Sequence, residues 1–180
     1  MLFWHVGATI AITRYSFRDD RMDLRMLALG ALLPDLVDTP IGLLFYDRLG
    51  GVRLFSHGLV FASIVMVTVV MATRRGRPRK LWMPLAIGLL FHLLMDAMWL
   101  APETLWWPLL GVDFTPAGAG SVSGYLSELV TDWRMWAGEL VGLAYLISMW
   151  RAAGLAKPES RKLLLSSGRI DVPIERGTNC

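Results

Sequence analysis

Cysteine is almost missing from this sequence, because Cys180, the last of the 180 residues, is the single one. One terminal cysteine excludes a disulfide framework and a cysteine-based metal knuckle, and we interpret it as a tail residue rather than a nucleophile. Charge is also scarce: charged residues make up 18%, apolar residues 54%, and the mean hydropathy is +0.48. This composition differs from that of an ordinary soluble protein and indicates one integral membrane domain.

The basic residues lie beside apolar segments, and the formal net charge is only +3. This pattern favours membrane orientation over nucleic-acid binding, so no nucleic-acid partner is expected. The densest basic stretch is residues 74–80, with five basic residues in seven. It predicts a cytoplasmic loop, since such loops carry an excess of Lys and Arg. No internal repeat is visible.

Apolar stretches predict the helices. Residues 1–12 are too few for a full span of about 20 residues, so we expect a short helix packed on the membrane or partly in it. A charged interfacial loop, residues 14–25, follows. Four longer stretches predict membrane-associated helices: residues 26–46, 54–73, 81–100 and 133–150. The expected fold is therefore an all-α integral membrane helical bundle, with about four membrane-associated helices plus the short N-terminal helix.

Two prolines interrupt the first long stretch, and we expect Pro34 and Pro40 to break or kink its helix so that it lines a cavity. The membrane-embedded domain is predicted at residues 1–155, and a polar cytoplasmic tail at residues 156–180, poorly ordered towards its end. With the basic loop and the tail inside, the ionisable residues of the apolar stretches fall in one layer, the outer half of the membrane.

Those ionisable residues are the main functional signal. Asp35 and Asp38 stand three residues apart in an apolar run, where burying two like charges is costly and a cation would resolve the conflict. His92 and Asp96 are four apart, which places them on one helical face, and His57 lies at a matching depth. His and Asp are ligands that zinc, manganese and iron accept. A single such His is more often a hydrogen-bonded packing residue, and a single Asp near the surface can simply face water.

Two further charged residues have open roles. Glu139, in the last apolar stretch, is a candidate ligand, general base or partner of Arg134. Arg53 is either a partner for an anionic phosphate or a plain interfacial charge.

The motifs resemble those of the YdjM-like membrane-bound metal-dependent hydrolases of bacteria, over roughly residues 1–111. The resemblance is carried by His5, Gly30-Ala31-Leu32-Leu33-Pro34-Asp35-Leu36-Val37-Asp38, Ser56-His57-Gly58, His92-Leu93-Leu94-Met95-Asp96 and Trp107-Pro108. That family is in turn considered similar to the zinc-dependent phospholipase C and single-strand nuclease superfamily, all-helical enzymes that cleave phosphate esters. The soluble enzymes use more histidines and a free N-terminal amine, whereas this chain has three histidines and an initiator methionine.

The resemblance implies a divalent metal site, with zinc favoured, holding one or two ions rather than three. It implies metal ligands at His5, Asp35, His57, His92 and Asp96. Asp38 would be a ligand, a neighbour of the ligands or, like Glu139, the catalytic residue that takes a proton. The implied location is the bacterial inner membrane, in a multi-pass protein with a cytoplasmic C-terminus.

The expected function is hydrolysis of a small or lipid-linked phosphoester near the outer membrane face, with the lipid bilayer as the other partner and the oligomeric state open. One alternative is a non-enzymatic transporter or ion-binding membrane protein, in which a broken helix and buried acids hold a cation without chemistry. Another is a structural or assembly protein whose polar residues bridge helices.

Overall fold

The structure is a computed structural model that describes residues 1–19, 21–116 and 120–172. Within these ranges the chain is helical and contains no strand. The described part of the chain forms nine α-helices: α1 Leu2–Phe17, α2 Leu24–Leu44, α3 Tyr46–Leu49, α4 Leu59–Ala72, α5 Arg77–Met95, α6 Pro102–Leu105, α7 Val122–Thr131, α8 Trp133–Ala152 and α9 Pro158–Ser167. Two 3-10 turns, Phe55–His57 and Met98–Leu100, precede α4 and α6. The expected all-α class is confirmed for the described residues.

The long helices pack side by side in the order α8, α1, α2, α5, α4, with α2 against α5 as the most extensive contact. Glycines allow the closest approaches. A Cβ at Gly30 of α2 would lie 2.0 Å from the carbonyl oxygen of Leu85 in α5, and a Cβ at Gly142 of α8 would lie 2.1 Å from that of Phe3 in α1. Such close backbone contact is typical of helix pairs in membranes, where small residues let van der Waals packing hold the helices together.

The α2 helix begins at a well-defined cap. The Asp23 carboxylate accepts hydrogen bonds from the backbone N–H groups of Arg25 and Met26 at 3.0 and 3.3 Å, which satisfies two of the first unpaired donors of the helix. Pro34 and Pro40 both lie inside α2, and the helix continues through them to Leu44. The helix is therefore not broken, because packing against α1 and α5 holds it together where the prolines remove backbone donors. The alternative that the prolines kink it stays a prediction.

The other boundaries also differ from the predicted ones. The first helix has 16 residues and extends to Phe17, so the interfacial loop is shorter than expected. The second apolar stretch starts with a 3-10 turn, and its α-helix, α4, has 14 residues. Among the described helices, α2 is the one long and apolar enough to cross a membrane by length and composition. The arrangement of four membrane-associated helices remains a prediction.

The two ends of the bundle have different characters. At one end a buried apolar cluster joins the end of α1, the start of α2 and the chain after α8; it consists of Ile10, Leu24, Leu27, Ala153, Leu155 and Ile170. Part of the predicted tail thus folds as α9 and packs on the bundle, with Ile170 buried, while residues 173–180, including Cys180, lie outside the described residues. The domain boundary at residue 155 stays a prediction. The opposite end carries the ionisable residues.

Candidate metal centre

Five ionisable side chains meet at the end of the bundle away from that apolar cluster. Each comes from a different position in the fold: the first turns of α1, the second half of α2, the 3-10 turn before α4, the last turn of α5 and the residue that caps α5. They are His5, Asp35, His57, His92 and Asp96. The structure thus brings together all five residues predicted as metal ligands, although no two of the three histidines share a helix.

The Nε2 atoms of the histidines and the carboxylate oxygens of the five groups lie a short distance apart. His57 Nε2 lies 3.2 Å from His92 Nε2 and 3.4 Å from Asp35 Oδ1, and His92 Nε2 lies 3.8 Å from the same Asp35 oxygen. On the other side, His5 Nε2 lies 2.9 Å from Asp96 Oδ1. Two groups of three potential ligands result, His5–His92–Asp96 and Asp35–His57–His92, each with its ligand atoms within 4.8 Å of one another.

The Nδ1 atom of each of the three histidine rings lies within hydrogen-bond distance of an oxygen. His57 Nδ1 lies 2.8 Å from Asp38 Oδ2, His92 Nδ1 lies 2.7 Å from the Ala31 carbonyl oxygen, and His5 Nδ1 bonds the Met1 carbonyl. Carbonyl and carboxylate oxygens accept hydrogen bonds, so each Nδ1 donates its proton. In the neutral imidazole, Nε2 is then the atom with a free lone pair, and in all three rings Nε2 faces the cluster.

The resulting donor set fits a divalent cation. Two Nε2 lone pairs 3.2 Å apart repel each other, and no proton remains to join two neutral rings. Around a tetrahedral ion with bonds of about 2.1 Å, neighbouring ligand atoms are about 3.4 Å apart. The three distances among His57, His92 and Asp35, from 3.2 to 3.8 Å, are close to that value. Two imidazoles with carboxylates are a ligand set that zinc accepts.

Asp38 is placed to support the cluster. Its side chain is 0% exposed, and its oxygens accept the His57 Nδ1 proton together with the backbone N–H groups of Leu54, Ser56 and His57 at 2.8, 3.0 and 3.1 Å. A carboxylate that bonds a ligand histidine in this way fixes its tautomer and ring orientation. Asp38 thus holds both the imidazole and the turn that carries it, and this geometry favours an orienting role over the predicted catalytic one.

Glu139 lies on α8 and contacts the start of α1. Its Oε2 accepts a hydrogen bond from the backbone N–H of Phe3 at 2.9 Å, which supplies a cap that α1 lacks from its own residues. Its Oε1 is buried with no hydrogen-bond partner among the described residues. The contact holds the first turn of α1, where Met1 and His5 lie. The predicted catalytic role of Glu139 stays a prediction, and the contact favours a positioning role.

The rim of the cluster includes groups that the sequence did not single out. The amino group of Met1 lies 3.6 Å from Asp35 Oδ2. Tyr125, on α7, stacks obliquely on Tyr46 with ring centroids 6.4 Å apart, and burial together with the carboxylate of Asp35 raises the pKa of its phenol. The only signal that could have found Tyr125 is its position in a connection next to aromatic residues, which is weak. The Met1 and Ala31 carbonyls carry no sequence signal, because every residue has one.

A comparison with protein families gave one clear result. The model of the family described as YdjM inner membrane protein matches residues 4–159, a stretch that includes all five cluster residues together with Asp38 and Glu139. Neither the curated proteins nor the solved structures compared with the chain gave a match.

Proposed function

Since the chain belongs to the YdjM inner membrane protein family, we propose that it is a membrane-bound metal-dependent hydrolase that cleaves phosphoesters near the outer face of the inner membrane. The observation that carries the proposal is the pair of Nε2 atoms, on His57 and His92, that face each other at 3.2 Å while both Nδ1 protons are bonded elsewhere. That arrangement leaves two lone pairs and the Asp35 carboxylate aimed at one point, which suits a cation far better than packing alone.

The two groups of three ligands share one residue, which limits the number of ions. His92 has one free nitrogen, so it can bind one ion at a time. Both groups therefore cannot be complete three-ligand sites together. We propose one ion held by His57, His92 and a carboxylate as the primary site. A second ion would be held more weakly by the remaining groups, His5 and Asp96.

A bound divalent ion would supply Lewis-acid chemistry, polarising a phosphoryl oxygen and lowering the pKa of a bound water towards about 7. The chain would supply orientation and proton transfer. Asp38 and the Ala31 carbonyl hold the two imidazoles in one tautomer and one orientation. Asp35 is the most exposed acid of the cluster, with 33% of its side chain accessible, so its carboxylate would be the one to accept a proton from the attacking water.

The proposed topology follows from the two ends of the bundle. The loop between α1 and α2, the loop between α4 and α5, and the end of α8 lie away from the cluster, and all three carry basic residues. The positive-inside rule assigns that end to the cytoplasm. The cluster would then lie at the outer side, within reach of lipid head groups and of small lipid-linked phosphoesters. Family membership supports the inner membrane as the location.

The test is a hydrolysis assay on purified protein in detergent, stripped with a chelator and reloaded with zinc or manganese. The panel contains a soluble chromogenic phosphodiester, a phosphomonoester and a phospholipid in mixed micelles. We expect metal-dependent hydrolysis of at least one substrate and a fall in kcat of about 100-fold or more in Asp35→Asn, because this variant weakens a metal ligand and removes the group that accepts the proton. Asp47→Asn, an exposed acid on α3, is the matched control.

The proposal is wrong if no substrate is hydrolysed in any metal form, or if Asp35→Asn and Asp47→Asn behave alike. Cation flux into proteoliposomes without any hydrolysis would instead favour the transporter alternative.

A further inference from the structure

Arg53 links the cluster to solvent. It lies in the connection between α3 and the 3-10 turn, and its Nε is 2.8 Å from Asp96 Oδ2. The other oxygen of Asp96 lies 2.9 Å from His5 Nε2, so this carboxylate lies between the guanidinium and the potential ligands. The Asp96 side chain is 5% exposed, whereas that of Arg53 is 49% exposed. The guanidinium therefore lies where the cluster opens to the outside.

The remaining donors of Arg53 are available. Its Nε forms an ion pair with Asp96, and neither Nη atom makes a hydrogen bond to the residues that the structure describes. A guanidinium is planar and presents its N–H groups as a fork that matches two oxygens of a phosphate. The ion pair with Asp96 places one edge of the guanidinium at the cluster and leaves the other edge free.

A positive group at this position also suits the charge of the site when an anionic substrate approaches. Asp35 and Asp96 both contribute carboxylates to the potential ligand set, and an approaching phosphoester is itself an anion. A fixed positive group at the opening offsets that repulsion and attracts anionic ligands.

We propose that Arg53 is the anion-binding residue of this site and holds the non-bridging oxygens of a phosphoryl group beside the potential metal ligands. The inference rests on the proposed function and deepens it, because it restricts the substrate class to anionic phosphate esters over neutral esters and amides. Arg53 would bind the substrate directly, while its contact with Asp96 keeps it in place.

The first experiment measures binding of inorganic phosphate to the zinc-loaded protein by calorimetry, with metal content determined on the same samples. Arg53→Gln should weaken phosphate binding by between about tenfold and a hundredfold, as expected for a lost charge-assisted hydrogen bond, and should retain its metal. Arg53→Lys should recover only part of the affinity, because a lysine keeps the charge but not the fork. Arg48→Gln, an equal charge change at an exposed arginine of α3, should stay within about twofold of wild type.

Three results would overturn the inference. They are wild-type protein that binds no phosphate, Arg53→Gln that binds it as wild type does, and Arg53→Gln that loses metal together with phosphate. The last result would show that Arg53 acts only by holding Asp96. Phosphate binding through Arg53 without any hydrolysis would refute the proposed function and leave the anion site intact.

A second measurement distinguishes the source of the phosphoryl group. KM is determined for a soluble phosphodiester and for an anionic phospholipid in mixed micelles, for wild type and for Arg53→Gln. A rise in KM of about tenfold or more for the phospholipid alone identifies a lipid head group as the ligand, and a rise for both identifies the phosphoryl group in either setting. An unchanged KM for both contradicts the inference while leaving the hydrolase proposal standing.

Discussion

The Nε2 atoms of His57 and His92 face each other at 3.2 Å, while the Nδ1 atoms of both rings are bonded to oxygens. The bonded oxygens belong to Asp38, which is the second acid of the apolar run, and to the carbonyl of Ala31. Both partners lie on α2, so this helix orients the imidazoles of two other elements. The orientation of the rings is therefore set by the fold.

Asp38→Asn should destabilise the protein and weaken metal binding. The asparagine amide has one acceptor oxygen in place of two, so some of the four donors now bonded to Asp38 lose their partner. Each buried unpaired donor costs about 1–3 kcal/mol, and loss of a group that orients a ligand histidine costs about 10–100-fold in metal affinity. Thermal unfolding and zinc titration measure the two effects. Asp47→Asn is the control, and equal behaviour of the two variants would contradict the orienting role.

Glu139 gives a test that separates positioning from catalysis. Glu139→Gln keeps an oxygen that can accept from the Phe3 N–H, so stability and kcat should stay close to wild type. Glu139→Ala removes the cap from α1 and should cost about 0.5–2 kcal/mol of stability. It should also weaken metal binding through His5, which lies in the same turn of α1. If Glu139→Gln instead lowers kcat by about 100-fold with stability unchanged, Glu139 is a general base and the positioning role is wrong.

Gly30→Ala tests whether the contact between α2 and α5 positions the site. The new methyl group would meet the Leu85 carbonyl at 2.0 Å, and since that atom is backbone, the helices must separate. Overpacking of this kind costs about 1–3 kcal/mol, and it should also weaken metal binding because Asp35 and His92 lie on those two helices.

The matched control is Gly138→Ala, a helical glycine of α8 whose added methyl would lie at an ordinary 3.5 Å from the Trp4 ring. It should be neutral or stabilising by up to about 1 kcal/mol, because alanine is the better helix former. Equal melting temperatures and equal zinc affinities for the two variants would contradict the importance of the α2–α5 contact.

Much of this architecture could be predicted from the sequence, since long apolar stretches identify the helices and ionisable residues inside them stand out. The failures have physical causes. Pro34 and Pro40 lie within a continuous α2, because neighbouring helices stabilise it in a way that local rules do not include. The folding of Pro158–Ser167 onto the bundle also depends on distant partners, such as the contact of Leu24 N–H with the Gly168 carbonyl at 2.8 Å.

The candidate site was likewise predictable from the sequence only in part. The types and spacings of His57, His92 and Asp96 were sufficient to nominate them as ligands. The spacing of Asp35 and Asp38 did not distinguish their roles, because both are acids in the same apolar run and differ in which way they face; the resemblance alone favoured Asp35 as the ligand. Asp35 faces the cluster, whereas Asp38 faces the backbone of the 3-10 turn.

Acid should remove the stabilising contribution of Asp23 at the start of α2. Burial raises the pKa of Asp23, but hydrogen bonds from the Arg25 side chain and from backbone N–H groups outweigh it, so the pKa lies below its ordinary value of 3.8. A lowered pKa means that the contribution is complete above about 3.8 and is lost as the pH falls through the lower, folded-state value. Asp23→Ala should therefore cost about 0.5–2 kcal/mol near neutral pH.

The difference in unfolding free energy between wild type and Asp23→Ala should shrink steadily in acid. Denaturation from pH 7 to pH 2 measures it, with Asp47→Ala as the exposed control. A difference that stays constant over this range would show that the Asp23 charge contributes nothing.

The most direct test of the metal centre is the metal content and zinc affinity of purified wild type, Asp35→Ala, His92→Ala and the exposed control Asp47→Ala, each checked for folding by circular dichroism. We predict bound metal in wild type and in the control. Removal of a ligand should cost more than the 10–100-fold that loss of an orienting group costs, so Asp35→Ala and His92→Ala should fall by at least about 100-fold in affinity. Folded wild type without bound metal, or equal affinity in all four proteins, would contradict the metal centre.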